Sequence, residues 1–234
     1  MPLYVIATPI GNPEDLTLRA QRLLQEASQW IVEEPKAARQ LAKSLGVFKE
    51  MFPLNEHNEA EGAQALIQLL LEGQTLALVS DCGTPGFADP GAKLVDLCHQ
   101  KGVQVIPVPG PSSLTAALSA SGLPLKEFFY AGFLPRSREE RRKAIRRWTP
   151  LKCPVVVYEA PYRLKALVED LVAELHPDRT VRLFMALTQP EEKIFVGSLT
   201  ELLAQIGQEP PKQEFVLVVD PAPPKLAKPH FKKR

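Results

Sequence analysis

The chain is poor in the residues that build metal and redox centres. It has three cysteines, at 82, 98 and 153, and four histidines, at 57, 99, 176 and 230. No two histidines stand four apart, and the cysteines form no metal-ligand spacing and cannot all pair with one another. A metal site and a disulfide scaffold are thereby disfavoured, and a reducing compartment, the cytoplasm, is expected. Long apolar runs are missing too: nothing approaches the roughly 20 residues that cross a bilayer. Met1-Pro2-Leu3-Tyr4 lacks the positive start and apolar stretch of a secretory signal, so no export or membrane association is expected. Neither Gly-x-Gly-x-x-Gly nor Gly-x-x-x-x-Gly-Lys-Ser/Thr occurs, which leaves dehydrogenase and kinase chemistry without support. A formal charge of +1 shows no global bias toward nucleic acid.

What is present is ordinary globular material, 234 residues of which 45% are apolar and 24% charged, enough for one large or two small domains. The stretch Leu76 to Pro111 stands out. Leu76-Ala77-Leu78-Val79 has the form of a short buried strand. The loop Ser80 to Gly91 that follows carries three glycines, two prolines and two aspartates, a mixture neither helix nor strand tolerates. Cys82 lies in it with no histidine or lysine nearby in sequence to lower its pKa, and reads as a small loop residue. A loop at the carboxyl end of a strand is where open α/β sheets bind ligands. Two more such loops occur, Thr8 to Pro13 and Pro109 to Ser113.

Strand and helix patterns alternate along the first half. Strands are expected at Leu3 to Ala7, Trp30 to Val32, Phe48 to Leu54, Leu76 to Val79 and Val103 to Val108. The helix expected over Asn55 to Glu72 carries Ala63, Leu66, Ile67 and Leu70 on one face. Alternation of this kind argues for a parallel sheet with helices on both faces. Ser121-Gly122-Leu123-Pro124 breaks the pattern, which places an N-terminal α/β domain at 1–122. The second half, 123–220, has strands at Phe128 to Phe133, Val155 to Tyr158, Val181 to Leu187, Lys193 to Val196 and Phe215 to Val219. A charged helix is expected over Ser137 to Trp148 and another over Leu199 to Ile206. The short polar connection after Leu187 suits a hairpin, so this α/β sheet is expected to be mixed. Residues 221–234 form a basic, proline-rich tail with Lys225, Lys228, Lys232, Lys233 and Arg234.

Four motifs occur in order: Ala7-Thr8-Pro9-Ile10-Gly11-Asn12, Val79-Ser80-Asp81-Cys82-Gly83-Thr84-Pro85-Gly86, Pro109-Gly110-Pro111-Ser112-Ser113, and Tyr158-Glu159-Ala160-Pro161-Tyr162-Arg163-Leu164. Together they resemble the tetrapyrrole (corrin/porphyrin) methylase superfamily, over residues 3 to about 219. The likeness is greatest to its branch that methylates a cytidine 2′-hydroxyl of small-subunit ribosomal RNA. The resemblance implies two α/β domains with S-adenosylmethionine held in the cleft between them, and a homodimer. Carried over, its cofactor residues are Pro9 and Gly11; Gly83, Thr84, Pro85, Phe87 and Ala88; Ser112 and Ser113; and, in the second domain, Tyr158, Ala186 and Leu187. That branch has Ala-Glu-Asp-Thr-Arg where this chain has Val32-Glu33-Glu34-Pro35-Lys36, and Arg-Glu-Leu-Thr-Lys where it has Met185-Ala186-Leu187-Thr188-Gln189. The branch's further C-terminal domain has no counterpart after Val219 in this sequence.

Methyl transfer to a ribose hydroxyl profits from a base, and Glu33 and Glu34 at a strand end are the candidates. Their alternative role is to cap the helix opened by Pro35, where negative charge is favourable. Asp81 and Asp89 are expected to brace the glycine loop. Seven cations fall within twelve residues from Arg136 to Arg147, and with Lys36 they are the candidates for RNA contact, Arg136, Arg138 and Arg142 first among them. The alternative is a solvated helix face. The expected function is thus an S-adenosylmethionine-dependent methyltransferase, with ribosomal RNA or the small ribosomal subunit as partner. A different acceptor, small molecule or protein, or a non-catalytic RNA-binding protein on the same scaffold, are the competing readings.

Overall fold

The computed structural model describes residues 1–207 and 212–222, so most of the basic tail, 223–234, lies outside the described residues. The chain divides into two compact units. One comprises Met1–Ala116 with Leu187–Pro190, and the other holds Ala117–Ala186 and the described residues from Glu191 onward.

The first unit contains β1 (Leu3–Ile6), α1 (Leu18–Glu26), β2 (Gln29–Val32), α2 (Pro35–Ser44), β3 (Glu50–Pro53), α3 (Glu59–Leu71), β4 (Leu76–Val79), α4 (Ala92–Gln100), β5 (Val105–Val108) and the start of α5 (Ser113–Ala120). Its five strands pair in parallel in the order β3-β2-β4-β1-β5. Strand residues alternate between two cores, as the pleat requires. Leu3, Ile31, Leu76 and Leu78 pack with Leu66, Ile67 and Leu70 of α3 and Leu94 and Cys98 of α4. Ile6, Trp30, Val32, Ala77 and Val79 pack with Leu23 and Leu24 of α1 and Ala38 and Ala42 of α2. Buried Trp30 keeps its indole N–H satisfied on the Leu24 carbonyl at 3.0 Å.

Neighbouring β1 and β4 therefore send their following helices to opposite faces. Divergence of that kind opens a crevice at the carboxyl edge of the sheet. Some expected elements are shorter than the sequence suggests, β5 among them, which starts at Val105 rather than Val103. The helix expected from Asn55 starts only at Glu59, because the Asn55 and Asn58 side chains fold the intervening residues into a turn, accepting from the amides of His57 and Asn55 at 3.0 and 2.7 Å. The strand expected from Phe48 starts at Glu50, and Phe48 itself is fully exposed.

The second unit contains β6 (Phe129–Phe133), α6 (Arg138–Arg146), β7 (Val155–Tyr158), α7 (Leu164–Glu174), β8 (Thr180–Met185), β9 (Lys193–Ser198), α8 (Leu199–Ile206) and β10 (Phe215–Val219). Its sheet runs β6-β7-β10-β8-β9, with β6 parallel to β7, β10 antiparallel to both its neighbours, and β8 and β9 a hairpin. The expected mixed sheet is found. Strand β8 ends at Met185, two residues before the expected Leu187, because Ala186 turns left-handed at φ 49°. Val155, Val157, Leu183, Leu217 and Val219 face the core, which α6, α7 and α8 close with Ile145, Leu167, Leu171, Leu199 and Leu202.

Four of the cations on or beside α6 are engaged within this unit. Arg138 and Arg141 both bond the fully buried Asp170 of α7, at 2.9 and 2.6 Å, and Arg142 and Arg146 both bond Glu174 one turn on. Arg141 is itself buried and donates a further bond to the Arg136 carbonyl at 3.2 Å. A buried pair of this kind matters most when one partner is removed, since the other is left charged and dry. Asp170→Ala is expected to lower unfolding free energy by about 3–5 kcal/mol, read from urea denaturation. Arg138→Gln, at an exposed partner, is expected to cost far less.

Candidate active site

Three loops leave the carboxyl ends of β1, β4 and β5 in the first unit, and hydrogen bonds tie them to one another. Thr8 and Gly83 form an antiparallel bridge, with Thr8 N–H donating to the Gly83 carbonyl at 2.9 Å and Gly83 N–H returning to Thr8 at 3.0 Å. The Thr8 hydroxyl, buried, donates to the Ser80 carbonyl at 3.1 Å. The Thr84 hydroxyl donates to the Pro111 carbonyl at 2.9 Å, which joins the second loop to the third. Gly83 holds φ at 82°, the left-handed region where a side chain is strained, and a Cβ there would press on Ile10 at 3.2 Å.

The rest of the glycine loop is braced at both ends. The Ser80 hydroxyl donates to the Cys82 carbonyl and accepts from its amide, at 2.9 and 3.3 Å. Cys82 is exposed and has this loop role. At the far end Glu59 of α3 accepts from the amides of Gly91 and Lys93, at 2.8 and 3.2 Å, anchoring the start of α4. Burial opposes the Glu59 charge, but those amides and the Lys93 ammonium outweigh it and hold the carboxyl below its ordinary range.

Pro9, Gly11, Gly83, Thr84, Pro85, Phe87, Ala88, Ser112 and Ser113 all lie on these three loops. Leu187 is grouped with the same unit, whereas Tyr158 and Ala186 belong to the second. Gly11 has a role within the protein itself. A Cβ on it would stand 2.6 Å from Gln189 Cγ and 2.8 Å from both the Leu187 carbonyl and Thr188 Oγ1. The neighbouring Asn12 amide donates to that Thr188 hydroxyl at 2.9 Å. Thr188 holds φ at 66°, unusual for a β-branched residue and a strained conformation of the kind that gathers at functional sites. Motif reading did not single out Thr188, since its importance depends on a bond to a residue 176 positions away.

Glu33 and Glu34 follow β2 at the same edge of the sheet. Glu34 is the N-cap of α2, its carboxylate accepting from the Lys36 amide at 3.2 Å, while its own amide donates to Asp81 at 3.1 Å. Glu34 is thus engaged in helix capping. Glu33 makes no such bond. Burial raises its pKa, and the carboxylates of Asp89, Asp81, Glu56 and Glu34 raise it further. Asp89 and Asp81 are raised as well, first by burial. Among the described residues no group of three or more His, Cys, Asp or Glu could hold a metal ion.

Lys36 is exposed in the first turn of α2, and Arg136 is exposed just before α6. Arg138 and Arg142, as described above, are paired with Asp170 and Glu174 of α7.

A doubly wound parallel unit with linked loops on its carboxyl edge, followed by a mixed-sheet α/β unit, defines a two-domain α/β protein with a ligand-binding edge. The family model for tetrapyrrole (corrin/porphyrin) methylases matches residues 2–203. Proteins named ribosomal RNA small subunit methyltransferase I from Halalkalibacterium halodurans and Escherichia coli O157:H7 are 39% and 40% identical, each over 93% of this chain and 75% and 77% of their own length. Among solved structures, diphthine synthase superposes with a TM-score of 0.74 at 20% identity, covering 94% of this chain and 90% of its own. A uroporphyrin-III C-methyl transferase from Thermus thermophilus, complexed with S-adenyl homocysteine, gives 0.65 at 22%, covering 94% and 97%. The chain belongs to the tetrapyrrole methylase family. It is an S-adenosylmethionine-dependent methyltransferase, as the ordered motifs implied.

The loops fit that cofactor. A zwitterionic amino acid and a ribose call for backbone amides, carbonyls and hydroxyls, and the three loops supply these with a left-handed glycine at their junction.

Two outcomes are expected. Gly11→Ala should destabilise the protein by about 1–3 kcal/mol through overpacking, measured by denaturant midpoint. Glu33→Gln should stabilise it slightly at pH 7, by no more than ~0.5 kcal/mol for so exposed a group. The sign follows from the raised folded pKa: ionising Glu33 costs the folded state more than the unfolded one. The gain should therefore vanish below pH ~4, where both states are protonated. A gain that grew on acidification would contradict the carboxylate cluster.

Proposed function

We propose that this enzyme methylates ribosomal RNA of the small subunit on a ribose hydroxyl, with Glu33 taking up the hydroxyl proton. The observation that carries the acceptor is the likeness to enzymes named for that RNA, which runs over more than nine tenths of the chain. In this reading the loops of the first unit hold the cofactor through Pro9, Gly83, Thr84, Pro85, Phe87, Ala88, Ser112 and Ser113, with Tyr158, Ala186 and Leu187 contributing from the rest of the chain. When bound, S-adenosylmethionine supplies a methyl group already activated for transfer. The protein's own work is to place the hydroxyl in line and accept its proton.

Glu33 suits the second task better than Glu34. Its carboxyl is not committed to a helix cap, and its neighbours raise its affinity for a proton above that of a free glutamate. A stronger base is the better partner for a hydroxyl whose pKa lies far above 7. Gly11 acts here by allowing residues 187–189 to approach the first loop. The enzyme is taken to work as a homodimer in the cytoplasm, where ribosomal subunits are found.

Tritium transfer from labelled S-adenosylmethionine to small-subunit RNA tests the acceptor, and absence of label in the RNA would end that reading. Glu33→Gln is expected to lower turnover by on the order of 10²-fold while leaving cofactor affinity unchanged. Retention of the full rate would assign proton removal to solvent and leave Glu33 without a catalytic part.

A further inference from the structure

The basic helix that sequence marks for RNA is α6, yet its arginines at 138, 141, 142 and 146 are held by Asp170 and Glu174. Helix α2 presents the opposite case. Its sequence, Pro35-Lys36-Ala37-Ala38-Arg39-Gln40-Leu41-Ala42-Lys43-Ser44, contains no acidic residue. Ala38 and Ala42 are buried against the first-unit core, and Lys36, Arg39 and Lys43 are exposed. The spacing of three and four residues puts these three cations in one row along the helix, about 10 Å from first to last. None of the three takes part in an ion pair among the described residues.

The row has two distinct ends. At its start, Glu34 caps the helix and Glu33 stands beside it at the edge of the sheet. At its far end a surface cavity of about 510 Å³ is lined by Arg39, Ala42, Lys43, Val47, Phe48, Lys49 and Met51. Phe48 is 100% exposed on its rim, an aromatic ring that nothing among the described residues covers. Lys49 is occupied otherwise, since its ammonium donates to the carbonyls of Gln25 and Ala27, both at 2.6 Å, and so closes the end of α1. A row of unpaired cations leading to an exposed aromatic over a nucleotide-sized hollow is the pattern of single-strand recognition, phosphates on the cations and a base against the ring.

We infer that the exposed face of α2 and the Phe48 cavity bind a single-stranded stretch of the RNA substrate next to the nucleotide presented to Glu33. Lys36, Arg39 and Lys43 take backbone phosphates, and Phe48 stacks on a base. The inference rests on the ribosomal RNA reading above and adds the path the strand follows. A patch of like charge fits an anionic polymer, and the aromatic at its end separates a nucleic acid from an acidic protein surface.

Binding of a fluorescent small-subunit RNA transcript to the full chain, at several salt concentrations, tests this. Changing Lys36, Arg39 and Lys43 together to glutamine is expected to weaken RNA binding and to flatten the slope of log affinity against log salt by about 2, close to 0.7 per cation. Phe48→Ala is expected to weaken binding on the order of tenfold with the slope unchanged, and Phe48→Tyr to restore it. Cofactor affinity and the thermal midpoint should stay at wild-type values in all of these. Lys143→Gln with Arg147→Gln, two exposed cations at α6 with no ion pair among the described residues, is the charge control and should change little. Wild-type-like RNA binding by the α2 and Phe48 variants would overturn this inference while leaving the ribosomal acceptor intact. An equal loss in the α6 control would overturn it too, by showing a general charge effect, and so would a change of oligomeric state in Phe48→Ala. A wild-type protein with no salt-dependent RNA binding would overturn the ribosomal reading itself.

Discussion

The bridge between Thr8 and Gly83 is the constraint on which the loops at the carboxyl edge of the first sheet depend. Two reciprocal backbone bonds join the loops that leave β1 and β4, the very pair of neighbours whose helices diverge to opposite faces of the sheet. Without that tie, a twelve-residue loop rich in glycine and proline would carry a large conformational entropy cost for holding any one shape. With it, the loop is pinned near its start, again at Thr84 on Pro111, and at its end by Glu59. A cofactor recognised mainly by backbone groups needs loops fixed in this way before it arrives, because each group left to find its place would subtract from binding.

Electrostatics divides the labour among the charged residues. Asp170 and Glu174 turn the arginines of α6 into struts that hold one helix on another. The cations of α2 meet no acidic partner among the described residues and remain available to a ligand. At the carboxyl edge of the first sheet, Asp81, Asp89, Glu33 and Glu34 crowd together, yet three of the four accept from backbone amides: Asp81 from Glu34, Glu34 from Lys36, and Asp89 from Gly86. The first two bonds order the turn after β2, and all three leave Glu33 as the carboxylate in this group whose proton affinity is raised by burial and like charge and that makes no such bond. The glycine loop and the candidate base are thereby parts of one construction, since Asp81 belongs to the first and positions the second.

Much of the fold is legible in the chain. The buried face of α3 follows from period, the fully buried β4 from a short apolar run, the parallel first sheet from strand and helix alternation, and the mixed second sheet from a short polar connection between two strands. The family and the methyl donor follow from four motifs in order. Element ends are less legible, because side chains such as those of Asn55 and Asn58 compete with the helix for backbone amides, and the winner depends on geometry. The choice between base and cap for Glu34, left open by sequence, depends on which amide its carboxylate reaches.

The amino-acid sequence by itself determined which stretches are strands, helices and strand-end loops, since those follow from local period, short apolar runs and the chemistry of glycine and proline. It also determined the family, because the motifs stand in a set order. Only the tertiary structure decided which charges are spent and which remain. Residues 32 apart bring Arg138 to Asp170, and residues 47 apart bring Glu34 to Asp81. Sequence counts cations and carboxylates, but an ion pair depends on where helices pack, and that is settled by the buried apolar faces beneath them. So four of the seven cations at α6 are paired with α7, and the sparse row on α2 is left facing solvent beside the candidate base.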